Sequence, residues 1–156
     1  MATPTAKPFT PAQERYGSVV VKYMSKANKW LYRVSGGRLG TSFFGAPVMF
    51  LTTTGRKSGE ARTVPLLCLA EGDTFVTVAS KGGMSHHPLW YRNLAADGRV
   101  EVEFQGRKRP MTAHTATPDE KHAWWPKLVA MYPDYASYQA RTERDIPVVI
   151  LTPRAG

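Results

Sequence analysis

Most features that announce a catalytic or metal-binding protein are missing from this sequence. It holds one cysteine, Cys68, so no intramolecular disulfide can form and a reducing compartment is expected. Histidines number four, and His86 and His87 are adjacent, so their rings diverge. With His114, His122 and Cys68 they offer no ligand spacing, and no metal is expected. There is no GxSxG elbow, Walker loop or dinucleotide fingerprint. The 12 acids are scattered and mostly beside turns, which argues against a paired-carboxylate mechanism. Long apolar runs are also missing. Pro65 interrupts Val64–Ala70 and Pro147 interrupts Ile146–Leu151, and neither run approaches the roughly eighteen residues of a membrane span. The opening MATPTAKPFTPAQERYG has no apolar core, so no secretory signal and a cytoplasmic location are expected.

What is present is one domain's worth of chain, 156 residues and 42% hydrophobic, enough to enclose a single core. Its net charge of +9 suggests an anionic partner. Residues 1–45 carry Lys7, Arg15, Lys22, Lys26, Lys29, Arg33 and Arg38 against Glu14 alone. Residues 1–11, with Pro4, Pro8 and Pro11, read as a flexible arm. From Pro11 to Val34 a helix is expected, with Tyr16, Val20, Tyr23, Ala27, Trp30 and Val34 at helical spacing and Lys22, Lys26, Lys29 and Arg33 as a basic stripe. Such a helix, residues 12–34, suits an anionic membrane surface; a helix docked on the domain with its lysines in water has the same pattern. This divides the chain into an arm and basic helix, 1–45, and a domain, 46–156.

After Gly45 the texture turns to short strands: Val48–Thr53, Thr63–Ala70, Thr74–Ala79, Arg99–Phe104, Met111–Ala116 and Pro147–Thr152. A short helix, Leu89–Ala96, follows a Gly-rich loop. Thr117-Pro118-Asp119-Glu120 starts a helix that Pro126 bends or interrupts, and Tyr135–Arg141 makes another. Turns between strands are too short for βαβ crossovers, so the expected class is α+β, a small β-barrel with helices outside it.

Chemistry concentrates on turns. Thr54-Gly55-Arg56-Lys57-Ser58-Gly59 with Arg62 offers cations and free N–H groups that can hold an anion, although a solvated hairpin turn has the same composition. Ser80-Lys81-Gly82-Gly83 repeats the theme at another strand end. Trp90, Tyr91 and Asn93 follow, and Tyr132, Tyr135 and Tyr138 recur at spacing three on a polar segment, where phenols can donate hydrogen bonds or a proton.

The run from Val48 to Thr152 resembles the deazaflavin-dependent nitroreductase family of actinobacteria. The landmarks are LTTTGRKSGEARTVPL, VASKGG, HPLWYRNL, WWPKLVAMYPDYASYQ and RDIPVVIL. The resemblance implies a split β-barrel related to flavin-binding barrels. It also implies the 8-hydroxy-5-deazaflavin coenzyme (coenzyme F-420), whose tail is a phosphate and oligoglutamate. On that basis Arg56, Lys57 and Arg62 match positions holding the anionic tail, and Thr63, Val64, Pro65 and Leu66 supply a backbone edge. Val78, Ala79, Ser80 and Lys81 match the segment against the ring and ribityl chain, and Leu89, Trp90, Tyr91 and Asn93 the segment closing the other side. Ser80, Tyr132, Tyr135 and Tyr138 match residues facing the substrate, with Tyr135 also near the ring. Leu67-Cys68 stands where some relatives carry an aromatic residue, which implies a differently shaped pocket.

The implied activity is hydride transfer from reduced deazaflavin to quinone-like or nitroaromatic acceptors; a lipid-soluble quinone would also rationalise the basic helix as a dock on the inner face of the cell membrane. A non-catalytic deazaflavin carrier and an FMN-binding barrel oxidoreductase are the alternatives. Nucleic acid fits the charge but no reading motif and is not expected as a partner.

Overall fold

The computed structural model describes residues 46–154 continuously, together with Thr10, Pro11, Ala12, Lys26, Trp30, Ser42 and Phe43. The helix expected over Pro11–Val34, and with it the basic stripe, lies outside the described residues apart from Pro11, Ala12, Lys26 and Trp30.

From Ser42 onward the described residues form, in order, β1 (Ser42–Phe43), β2 (Ala46–Thr54), β3 (Ala61–Leu67), β4 (Leu69–Glu71), β5 (Thr74–Val78), α1 (Leu89–Ala96), β6 (Arg99–Phe104), β7 (Arg107–Thr115), α2 (Pro118–Met131), α3 (Asp134–Arg141) and β8 (Val148–Pro153). The strands form one antiparallel sheet in the order β1-β2-β6-β7-β8-β5-β4, with β3 beside β2. The class is α+β, but the expected barrel is not found. Closure needs a ladder between the terminal strands, and among the described residues none joins β4 to β1 or β3. The run expected as one strand, Thr63–Ala70, breaks at Cys68, whose N–H donates to Pro47 O at 2.9 Å. The three residues after it pair only with β5, so the sheet stays open.

Turn chemistry accounts for the hairpins. Gly72 at φ 61 begins the two-residue loop between Glu71 and Thr74. Gln105 and Gly106 both have positive φ, which closes the β6–β7 hairpin tightly and lets β7 begin at Arg107, four residues before the expected Met111.

Alternation sorts side chains onto two faces. Met49, Leu51, Phe75, Val100, Val102, Met111, Ala113, Val149 and Leu151 form one core with Trp90 and Leu94 of α1. Val76, Val78, Val148 and Ile150 form a second core with Leu128, Tyr132 and Tyr135 from α2 and its continuation. β5 and β8 are therefore covered on both faces, buried from Phe75 to Val78 and from Val148 to Leu151, whereas Arg99 and Glu101 of β6 stay exposed between buried Val100 and Val102. α2 starts on a capping box, Thr117 Oγ1 accepting from Glu120 N at 3.2 Å and Glu120 Oε1 from Thr117 N at 3.0 Å. It runs through Pro126 without ending.

Candidate active site

Asn93 organises the cationic turn. Its Oδ1 accepts from Arg56 N at 3.1 Å, and its Nδ2 donates to Thr53 Oγ1 at 3.2 Å. The turn closes on itself through Gly59 N to Gly55 O and Gly55 N to Glu60 O, at 2.8 and 2.7 Å. Arg56 and Lys57 are exposed and have no ion-pair partner among the described residues. Arg62 does have one, Glu60 Oε2 at 3.0 Å, so the third expected cation is partly neutralised. Beside them β3 pairs only with β2, and its other edge, from Thr63 to Leu66, faces no strand among the described residues. Val64 and Leu66 lie against the first core, and Thr63 shares a hydroxyl contact of 2.8 Å with Thr52.

α1 does not present Leu89–Asn93 as one surface. Trp90 is a core residue and Asn93 a turn anchor, while Leu89 is 69% exposed. The Tyr91 hydroxyl contacts Thr115 Oγ1 at 2.9 Å, and its ring lies 4.8 Å from that of His87. Upstream, Val78 and Ala79 are buried on opposite faces, and Ser80 is buried at the mouth of the loop. Lys81 has φ 45, and its Nζ sits 2.7 Å from His86 Nε2.

The three tyrosines do come together. Tyr132 ends α2, Tyr135 and Tyr138 lie on α3, and their ring centroids are 5.0, 6.1 and 6.3 Å apart. The Tyr132 and Tyr138 hydroxyls are 3.0 Å apart. The Tyr135 hydroxyl has no hydrogen-bond partner among the described residues, although the residue is only 3% exposed. Burial, first of all, pushes both the Tyr132 and the Tyr135 phenols well above the usual tyrosine range; the Tyr138 contact adds to it for Tyr132, and nearby Cys68 for Tyr135. Both remain protonated donors. The tyrosine cluster touches the Ser80–Lys81 loop through Gly83: a Cβ there would lie 2.6 Å from Tyr138 O.

Two residues that the sequence did not single out tie these parts together, Arg144 and His87. Arg144 bonds backbone oxygens of the loop after β5, and its Nη1 lies 2.7 Å from His87 Nδ1. Each opens one of the landmark runs, HPLWYRNL and RDIPVVIL, but sequence reasoning assigned neither a role here, because their partners lie some sixty positions away or across a loop. Among the described residues no three His, Cys, Asp or Glu side chains gather as a metal site, and no helix is long and apolar enough to cross a membrane.

The sequence model of the F420H(2)-dependent quinone reductases matches residues 24–153. The chain belongs to that family. It is 39% identical over 128 residues to an F420H(2)-dependent quinone reductase of Mycobacterium tuberculosis, covering 80% of this chain and 86% of the relative. A solved structure of an F420-H2 dependent reductase (FDR-A) is 43% identical with a TM-score of 0.63, over 67% of this chain and 93% of that one. Another, described as a domain-swapped dimer, is 38% identical with a TM-score of 0.66, over 80% and 96%. Membership makes this F420H(2)-dependent quinone reductase family chain an enzyme of the oxidoreductase class.

Among the described residues, two exposed cations without an ion pair stand on a turn, the edge of β3 beside them is unpaired, and protonated phenols lie at the far end, which fits a cofactor with an anionic tail.

Proposed function

We propose that the chain transfers hydride from a reduced deazaflavin coenzyme to a quinone-like acceptor, with nitroaromatics as a further class. The observation that carries this reading is one unbroken line of contacts. It runs from Arg56 through Asn93 and α1 to His87, Arg144, Ser80 and Gly83, and ends at the tyrosines. A cation-bearing end and a phenol-bearing end are thereby held at fixed separation on rigid elements.

In this reading Arg56 and Lys57 grip the phosphate and carboxylates of the tail, with Arg62 joining when it leaves Glu60. The edge of Thr63, Val64, Pro65 and Leu66 lies along the coenzyme. Val78, Ala79, Ser80 and Lys81 line its ring side, and Leu89 and Tyr91 close the opposite side; Trp90 and Asn93 act from behind, as core and anchor. Bound deazaflavin supplies a two-electron reductant. The protein's share is to hold the acceptor, keep water away and donate to the acceptor's oxygens. The Tyr135 hydroxyl, uncommitted among the described residues, is the group for that task. Tyr132 and Tyr138 are bonded to each other and orient it, and Ser80 adds a hydroxyl. Because burial holds the Tyr135 proton tightly, it donates a hydrogen bond first and gives up its proton only as negative charge develops on the acceptor.

The unit that does this is 46–156. The basic segment of 1–45 is the part suited to an anionic surface where lipid-soluble quinones dissolve.

The test is turnover of a soluble quinone with reduced deazaflavin. Tyr135→Phe is expected to lower kcat about 100-fold and leave coenzyme affinity unchanged. Wild-type kcat in that variant removes Tyr135 from the mechanism.

A further inference from the structure

We propose that Arg144 is a positioning residue of this enzyme: its guanidinium holds the loop from Ala79 to His87 in the shape that presents Ser80 and Lys81 to the coenzyme. The proposal rests on the placement of Ser80 and Lys81 in the coenzyme site made above.

Arg144 stands between α3 and β8. Its Nη2 donates to Ser80 O at 2.8 Å, Nη1 to Ala79 O at 3.1 Å and Nε to Met84 O at 3.1 Å. Nη1 also lies 2.7 Å from His87 Nδ1. One side chain thus takes up three carbonyls and an imidazole of a loop that no strand ladder supports. A planar fork of five donors can do this, and a lysine ammonium cannot.

The loop needs such a clamp. Lys81 is a non-glycine residue at φ 45, a conformation that persists only where its surroundings impose it. On the other side Gly83, at φ 80, lies flush against the Tyr138 backbone. Arg144 and α3 therefore grip the loop from two sides, and the tyrosines and Ser80 share one mechanical unit.

The imidazole makes the clamp sensitive to protons. To accept from Arg144, His87 Nδ1 must be unprotonated. His87 faces Arg144, Arg92 of α1 and the Tyr91 ring, with the Lys81–His86 pair on the same loop. No carboxylate is paired with it among the described residues. Protonating His87 turns an acceptor into a cation beside two others and loosens the loop.

The test uses the full chain as wild type, Arg144→Gln, Arg144→Lys and Lys121→Met. Lys121 is a staple of similar kind, bonded to Gln139, Asp145 and Ile146 O, but it does not touch the 79–87 loop. Each protein is titrated with oxidised deazaflavin by fluorescence quenching, melted, and followed by amide hydrogen exchange. Arg144→Gln is expected to weaken coenzyme binding on the order of 100-fold, as ångström-scale misplacement does, and Arg144→Lys to recover part of it. Lys121→Met should lower Tm without changing the affinity of the folded protein. Wild-type affinity should fall at acid pH, and that limb should flatten in Arg144→Gln.

Arg144→Gln binding as wild type, or Lys121→Met losing as much affinity, overturns the proposal. If Arg144→Gln does not fold, Arg144→Lys decides: wild-type affinity and exchange in it overturn the proposal. If wild type itself binds no deazaflavin, the coenzyme reading fails, and exchange tests the clamp separately. Faster exchange at 80–87 alone in the Arg144 variants then upholds the clamp, and unchanged exchange refutes it.

Discussion

Cys68 and Tyr135 show how position decides the chemistry of a single residue. The thiol lies fully buried where β3 gives way to β4, and burial pushes its pKa up to about 12. A thiolate is the reactive form, so the cysteine is inert in the fold. Iodoacetamide at pH 8 is expected to leave native Cys68 unmodified and to alkylate it in denaturant; rapid native labelling would show that the β3–β4 bend opens. Tyr135 is buried by the same neighbourhood, yet its hydroxyl meets no hydrogen-bond partner among the described residues and is not itself fully enclosed, which makes it a donor in waiting. The sequence made the grouping of the three tyrosines legible through their spacing, but the polar letters around them hid that Tyr132 and Tyr135 are also core residues. It did not separate Tyr135 from the Tyr132–Tyr138 pair, since hydroxyl partners depend on where α2 stops. Arg144 opens the landmark RDIPVVIL, but its contacts were hidden for a related reason: they are carbonyls of residues some sixty positions earlier, and carbonyls have no letter in a sequence.

Elements were legible where period and punctuation agreed. Thr117, Pro118 and Glu120 marked the start of α2, and the capping box is there. Alternation in Arg99–Phe104 gave β6 with its boundaries intact. Two boundaries failed. Arg107 to Pro110 is polar because that stretch of β7 has one face in solvent, so composition hid a strand. The break at Cys68 was hidden in an apolar run that bends to serve two neighbours, and that bend is why the expected barrel is an open sheet. Within the 79–87 loop, Gly83 carries the closest approach to α3. Gly83→Ala places a Cβ 2.6 Å from Tyr138 O at a left-handed φ. A cost of about 1–3 kcal/mol is expected, read as a lower Tm, together with a kcat loss because Tyr138 moves. Unchanged Tm and kcat would mean that the loop and the tyrosines are not coupled through this contact.

At the scale of the molecule, charge and sheet topology work together. Among the described residues, the open antiparallel sheet leaves one edge of β3 unpaired beside a turn whose Arg56 and Lys57 have no ion pair, and α1 carries that turn's anchor back to the loop that meets the tyrosines. Family membership gives the reaction class; in the proposed reading a deazaflavin with an anionic tail uses this arrangement, where the smaller FMN would leave the turn unused. The most direct measurement is therefore a fluorescence-quenching titration with oxidised deazaflavin and, separately, with FMN, on wild type, Arg56→Ala and Lys57→Ala. Tight binding of deazaflavin alone is expected, weakened about tenfold by loss of either cation, equivalent to about 1.4 kcal/mol. Preference for FMN, binding of neither ligand, or deazaflavin affinity indifferent to both substitutions would contradict it.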